Sequence, residues 1–220
     1  MREIADMLGV EYPIIMGALG SLSNPELVAA VSEGGGFGLI GTAGMDLTIL
    51  RETIAGVREL TGKPFGANLM ALNPDAPAMV EVLAEEGIKA VTTSAGSAKK
   101  LTSMLHDAGI KVLHVVPSPP LASKAADAGV DGVVAEGGES GGMQSRSAIS
   151  TLNLVPQVAE SVTVPVVAAG GISDGRGYAA AFALGAGGAY SWGPASSSPR
   201  NAPLTPITSG PFSRRDPRTP

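Results

Sequence analysis

Short apolar runs recur along the chain at the spacing of one strand–helix unit. They fall at residues 14–16, 37–40, 65–69, 90–93, 111–116, 132–135 and 165–169. Each is rich in Val, Ile, Leu or Ala, and the pattern predicts parallel strands buried on both faces. Segments of helical character lie between most of them. The helix over 25–31 follows Ser23 and Asn24, a side-chain cap, with Pro25 in the first turn. Apolar residues repeat at helical spacing from Ile49 to Leu60 and stop at Thr61 and Gly62. Residues 79–86, 99–108, 121–128, 151–158 and 177–184 behave similarly. Glu86-Gly87, Ala108-Gly109 and Ala128-Gly129 predict helix ends in which a left-handed glycine turns the chain into the next strand.

Seven such units are present, and an eighth strand is due near Gly187. Eight units close into a (β/α)8 TIM-type barrel, with the active site on the loops after the strands. An open doubly wound sheet would carry Gly-x-Gly-x-x-Gly after its first strand. Met16-Gly17-Ala18-Leu19-Gly20 does not match that fingerprint. The expected fold class is therefore α/β, a (β/α)8 barrel whose eighth unit is incomplete.

Composition narrows the chemistry. Of 220 residues, 44% are hydrophobic and only 4% aromatic, so the core must be aliphatic. A net charge of −5 argues against nucleic acid as a partner. No apolar run is long enough to span a bilayer. The start, Met1-Arg2-Glu3-Ile4-Ala5-Asp6, lacks the apolar core of a signal peptide, and a cytoplasmic protein is expected. Without cysteine there is no disulfide or thiolate chemistry, and no metal site is expected. The two histidines are His106, in a helical segment and read as a solvated surface residue, and His114, inside the fifth strand.

The most informative motif follows the seventh apolar run: Ala168-Ala169-Gly170-Gly171-Ile172-Ser173-Asp174-Gly175. It reads as strand, tight turn and helix start. Adjacent glycines let backbone approach a ligand closely, and a helix N-terminus offers unpaired N–H groups. Together they suit a phosphate monoester such as that of FMN.

Several motifs occur in an order that resembles the nitronate monooxygenases and the related flavin-dependent enoyl-ACP reductases II. They are Tyr12-Pro13-Ile14-Ile15-Met16-Gly17, Gly34-Gly35-Gly36-Phe37-Gly38, Pro64-Phe65-Gly66-Ala67-Asn68-Leu69-Met70, Val91-Thr92-Thr93-Ser94-Ala95-Gly96, Val115-Val116-Pro117-Ser118 and Ala135-Glu136-Gly137-Gly138-Glu139-Ser140-Gly141-Gly142. The resemblance runs to about residue 187. It implies a barrel holding FMN at the strand C-termini, contacted by Met16, Gly17, Asn68, Glu136, Gly141, Gly142, Gly170 and Gly171. By the same resemblance Met16 and Gly17 meet the flavin ring through backbone. Asn68 offers an amide to a ring edge. A carboxylate is repelled by phosphate, so Glu136 is expected to hold the glycine loop or a ribityl hydroxyl.

One departure is sharp. Relatives carry a catalytic His after the glycine pair, and here that position is Met143. A thioether takes up no proton at neutral pH, so the catalytic residue is unassigned. Ser140, Gln144 and Ser145 keep polar groups nearby without supplying a base. The resemblance implies oxidation of alkyl nitronates by O₂. Alternatives are NAD(P)H-dependent reduction of an enoyl thioester, or of a quinone, which needs no base, and a degenerate flavin-binding relative. The partner is a small molecule, and a homodimer is compatible with the resemblance.

The pattern breaks from Gly188, where Pro, Ser, Thr and Arg dominate to Pro220. Read two bases further on, codons for this segment are compatible with Gly-Val-Phe-Met-Gly-Thr-Arg-Phe-Leu, the turn that relatives place after the eighth strand. The expectation is a barrel domain over 1–187 and an irregular, out-of-frame tail over 188–220, with at most a short strand near 188–192.

Overall fold

The computed structural model describes residues 2–141 and 149–191. The elements in chain order are α1 (Arg2–Leu8), β1 (Ile14–Met16), α2 (Pro25–Glu33), β2 (Gly38–Gly41), α3 (Leu47–Leu60), β3 (Phe65–Met70), α4 (Ala76–Glu85), β4 (Ala90–Ser94), α5 (Ala98–Asp107), β5 (Lys111–Val116), α6 (Pro119–Asp127), β6 (Gly132–Glu136), α7 (Thr151–Ser161), β7 (Val166–Ala169), α8 (Gly175–Ala183) and β8 (Gly188–Ser191). Every strand anticipated from the apolar runs is present within two residues.

Local chemistry explains the helix ends. Asn24 caps α2 by accepting the Leu27 N–H at 2.9 Å, and Asp46 caps α3 by accepting the Ile49 N–H at 2.8 Å. Leu50, Ile54 and Val57 form the buried stripe of α3. Gly87, Gly109 and Gly129 all adopt positive φ after their helices, as their sequence positions require. The end of α3 differs: Thr61 is extended, with φ −150°, and Gly62 makes no left-handed cap.

All pairings are parallel, and β2 to β8 follow one another in order. Strand β8 also pairs with β1, matching Ile14 with Ala189, Ile15 with Tyr190 and Met16 with Ser191. Closure between β1 and β2 is made by the Ile15–Phe37 bridge: the Met16 N–H donates to the Phe37 carbonyl at 2.9 Å and the Phe37 N–H to the Ile14 carbonyl at 2.8 Å. The result is a (β/α)8 barrel. A chain without an eighth strand would leave β1 and β7 with open edges. Here Gly188–Ser191 fills both, and this is the short strand expected near 188–192.

Two apolar layers hold the barrel. Inside it lie Ile15, Phe37, Leu39, Leu113, Val134 and Val167, with Ile4 and Leu8 of α1 packed beneath them. Ile4 lies beside the starts of β6 and β8, facing Gly132 and Gly188. Outside, the alternate strand residues pack against the helices. At Gly38 a Cβ would stand 2.3 Å from the Val28 carbonyl, so α2 lies on bare strand backbone there. Among the described residues no helix is long and apolar enough to cross a membrane.

Candidate active site at the carboxyl ends of the strands

Side chains alternate across each strand, so the interior positions can be followed upward. The aliphatic interior of the barrel gives way at the strand C-termini to polar residues: Asn68 on β3, Thr92 and Ser94 on β4, Glu136 on β6 and Tyr190 on β8. Asn68 is the hub. Its Oδ1 accepts the Thr92 hydroxyl at 2.9 Å, its Nδ2 donates to Ser94 Oγ at 3.3 Å, and its carbonyl accepts the Thr42 hydroxyl at 2.7 Å. This leaves the amide a second N–H and a second lone pair.

Glu136 is half-buried at the end of β6. Burial pushes its carboxyl above the ordinary range, and a hydrogen bond from Ser140 pulls the other way. Tyr190 is buried. Burial and, to a smaller extent, the Glu136 charge push its phenol up to about 12, against the opposing effects of Ala18 and Thr92. Its hydroxyl therefore stays protonated at neutral pH, and it accepts the Ala18 N–H of the β1–α2 loop at 3.2 Å.

The glycine loop forms the second part. Gly170 and Gly171 have φ of +112° and +64°. A Cβ on Gly170 would meet Thr151 Oγ1 at 2.4 Å, and one on Gly171 would meet the Glu139 Cβ at 3.3 Å. The Gly137 N–H donates to the Ala169 carbonyl at 2.8 Å, tying the β6–α7 loop to the end of β7. Glu139 accepts both the N–H and the hydroxyl of Thr151.

One reading of this region changes. The N-terminus of α8 does not stand open for an anion, because Asp174 already occupies it. Its Oδ1 accepts the Arg176 and Gly177 N–H groups at 2.9 and 3.1 Å, and the Arg176 guanidinium grips Oδ2. Arg176, followed by the Gly177 N–H, holds the Asp174 carboxyl below its usual value. Glu139 braces the glycine loop as well, beside the bond between Glu136 and Ser140.

The structure brings Gly17, Asn68, Glu136, Gly141, Gly170 and Gly171 to the strand C-termini or the loops after them. The Met16 side chain belongs to the outer layer, packed with the helices, so only its backbone faces the site. Gly142 and Met143, with Gln144 and Ser145, lie outside the described residues, as does the chain from 192 onward. His114 points away from the barrel interior and cannot replace the missing base. His106 is not merely solvated: its Nε2 lies 2.8 Å from Asp131 Oδ2, on a carboxylate that also accepts Lys111 Nζ at 2.7 Å and the Val112 N–H at 2.9 Å. Burial raises Asp131, but these partners outweigh it and its carboxyl sits below the ordinary value. Sequence reading missed Thr92, Ser94 and Tyr190 as site residues. Their signal was polarity at interior positions of otherwise apolar strands.

The family model for nitronate monooxygenase matches residues 2–79 and 76–191. The chain belongs to the nitronate monooxygenase family. It is 37% identical over 185 residues to the (3aS,4S,5R,7aS)-5-hydroxy-7a-methyl-1-oxo-octahydro-1H-indene-4-carboxyl-CoA dehydrogenase of Rhodococcus jostii, covering 84% of this chain and 52% of that one. The chain thus spans about half the length of this relative and of the dehydrogenase of the same name from Mycobacterium tuberculosis. Among solved structures it is similar to FabK from Thermotoga maritima, with 46% identity, a TM-score of 0.82 and coverage of 86% of this chain and 60% of that one. It is also similar to nitroalkane oxidase from Streptomyces ansochromogenes, with 29% identity, a TM-score of 0.78 and coverage of 86% and 67%.

Proposed function

We propose that the chain forms the barrel of an FMN-dependent oxidoreductase that oxidises alkyl nitronates with O₂. The observation that carries this reading is the Asn68 amide, held by Thr92 and Ser94 in the mouth of a family barrel with capacity to spare. The donor set suits FMN at both ends. An amide and protonated hydroxyls suit a heteroaromatic ring edge, and the backbone of the turn at Gly170 and Gly171, just past the end of β7, suits a phosphate.

In this reading Gly17 offers backbone to the ring, Asn68 its amide, Glu136 a ribityl contact, and Gly170 and Gly171 the phosphate cradle, with Gly141 and Gly142 alongside. FMN supplies the redox chemistry when bound. The chain orients it and keeps water from below through Leu113, Val134 and Val167.

A second reading is reduction of an enoyl thioester or a quinone by NAD(P)H, and one residue favours its quinone form. Met143 stands where relatives carry the base that a nitronate mechanism uses. The test is a spectrum of the purified chain with added FMN, then O₂ uptake with an alkyl nitronate against NAD(P)H oxidation with a crotonyl thioester or a quinone. Nitronate-dependent O₂ uptake supports the first reading; nicotinamide oxidation alone replaces it with the second. A chain that leaves added FMN unbound refutes both.

A further inference from the structure

His114 is buried at 5% exposure and has no part in the chemistry above. It lies between Leu113 and Val115, which belong to the barrel interior, so its ring is directed into the outer layer with Val112 and Val116. Its Nδ1 is 2.7 Å from the Thr93 hydroxyl on the paired strand. The ring also bonds the backbone of Gly96, in the turn between β4 and α5.

That turn is strained. Ala95 has φ +52°, the one non-glycine residue with positive φ among the described residues, and Gly96 follows at +136°. Only surrounding contacts keep an alanine in that region. The turn is also coupled to the site. The Ala71 N–H donates to the Ser94 carbonyl at 2.7 Å, and Ser94 Oγ accepts from Asn68 Nδ2 at 3.3 Å. A continuous path of bonded groups therefore runs from the His114 ring through Thr93 and Gly96 to Ser94 and the Asn68 amide.

We propose that His114 is a positioning residue whose neutral ring bridges Thr93 and Gly96, holds the Ser94–Gly96 turn and so fixes the Asn68 amide where it receives the flavin. The flavin part rests on the reading given under Proposed function. A neutral ring has one donor and one acceptor, which matches one hydroxyl and one backbone group. The elements around it present no charge: β4 gives Thr93, β6 gives Val133, and α5 and α6 turn Leu101, Leu105 and Ala122 inward. Burial accordingly lowers the affinity of the ring for a proton, with the Gly96 bond opposing it. As pH falls, the unfolded chain takes up the proton first, so the neutral bridge is lost on the acid side.

The test uses the full chain, His114→Gln and His114→Leu. Gln keeps a donor and an acceptor without titrating; Leu keeps neither. The first readout is amide hydrogen exchange at residues 94–97, which needs no flavin. Loss of a buried bridge predicts exchange there faster by about tenfold in His114→Leu at pH 7.5, with other strands unchanged and His114→Gln near the parent. Relative to the intrinsic rate of an unprotected amide at each pH, protection at 94–97 should fall between pH 7 and 5 in the parent and stay constant in His114→Gln. The second readout is FMN affinity by flavin fluorescence, expected to weaken in parallel. Unchanged exchange at 94–97 in a folded His114→Leu, or an equal acid response in His114→Gln, overturns the proposal. If His114→Leu does not fold, the pH comparison of parent and His114→Gln decides alone. A parent chain that leaves FMN unbound refutes the flavin reading, and the exchange result still decides the role of His114.

Discussion

The Glu139 carboxylate accepts two hydrogen bonds from one residue, the N–H of Thr151 at 2.8 Å and its hydroxyl at 2.7 Å. This clamp joins the β6–α7 loop to the first turn of α7. The same Thr151 hydroxyl lies 3.3 Å from the Ala169 carbonyl, at the end of β7. One side chain thus ties together the two loops proposed to hold FMN. Desolvation raises the Glu139 carboxyl, but the Thr151 bonds outweigh it and hold it below its usual value.

Thr151→Val keeps the shape and removes the hydroxyl. A hydrogen bond of this kind contributes about 1 kcal/mol, so the urea midpoint should fall modestly. FMN binding should weaken more than stability does. Because the folded carboxyl is depressed, the Glu139 contribution is present above the unfolded value and lost as pH falls through the folded one. Thr151→Val should remove part of that acid dependence; parallel pH profiles for parent and variant would contradict the clamp.

Gly170 and Gly171 should respond differently to alanine. At Gly171 the left-handed backbone costs roughly 1–2 kcal/mol for an L side chain, and the Glu139 Cβ at 3.3 Å has a little room to move. At Gly170 the new Cβ would stand 2.4 Å from Thr151 Oγ1 and must displace the clamp. Thermal unfolding should therefore rank parent, Gly171→Ala, Gly170→Ala. FMN titration of a folded Gly171→Ala should show weaker binding, and an unchanged affinity would remove Gly171 from the cradle.

The fold was largely legible because its signals are local. Apolar runs, Asn24 as a cap, and the glycines at 87, 109 and 129 each act within one turn of chain. What escaped depends on register between distant residues. Nothing near Asn68 says that Thr92 and Ser94 will meet its amide, and nothing near Tyr190 says that its hydroxyl will reach Ala18. Asp174 was visible as a helix start, but its side chain also fills the N-terminus that the glycine motif had suggested for phosphate. His106 looked like an ordinary surface residue because Asp131, its partner, lies 25 positions away.

Met143→His restores the residue type that the resemblance expects after Gly141 and Gly142. A positioned general base typically contributes about 10²–10⁴-fold. If the rest of the site is intact, nitronate-dependent O₂ uptake should rise by at least the lower figure, with FMN content unchanged. No gain in a variant that holds FMN would favour the base-free reductase reading.

Glu136 gives the opposite pH signature to Glu139. Its carboxyl is raised by burial, so the folded chain holds this proton more tightly than the unfolded chain. The stability it contributes is present below the unfolded value and is lost as pH rises through the folded one, because a half-buried carboxylate must then stand beside Tyr190 and the apolar barrel. Glu136→Gln keeps the size and the polar contacts and removes the charge. The variant should match the parent near pH 4 and exceed it in stability at pH 7, measured by urea unfolding across that range. FMN affinity should separate two roles. If the carboxylate accepts a ribityl hydroxyl, Glu136→Gln weakens binding at pH 7 even while the barrel becomes more stable. If both stability and affinity rise together, the Glu136 charge is a cost that the flavin site does not use, and its assignment as a ribityl contact is wrong.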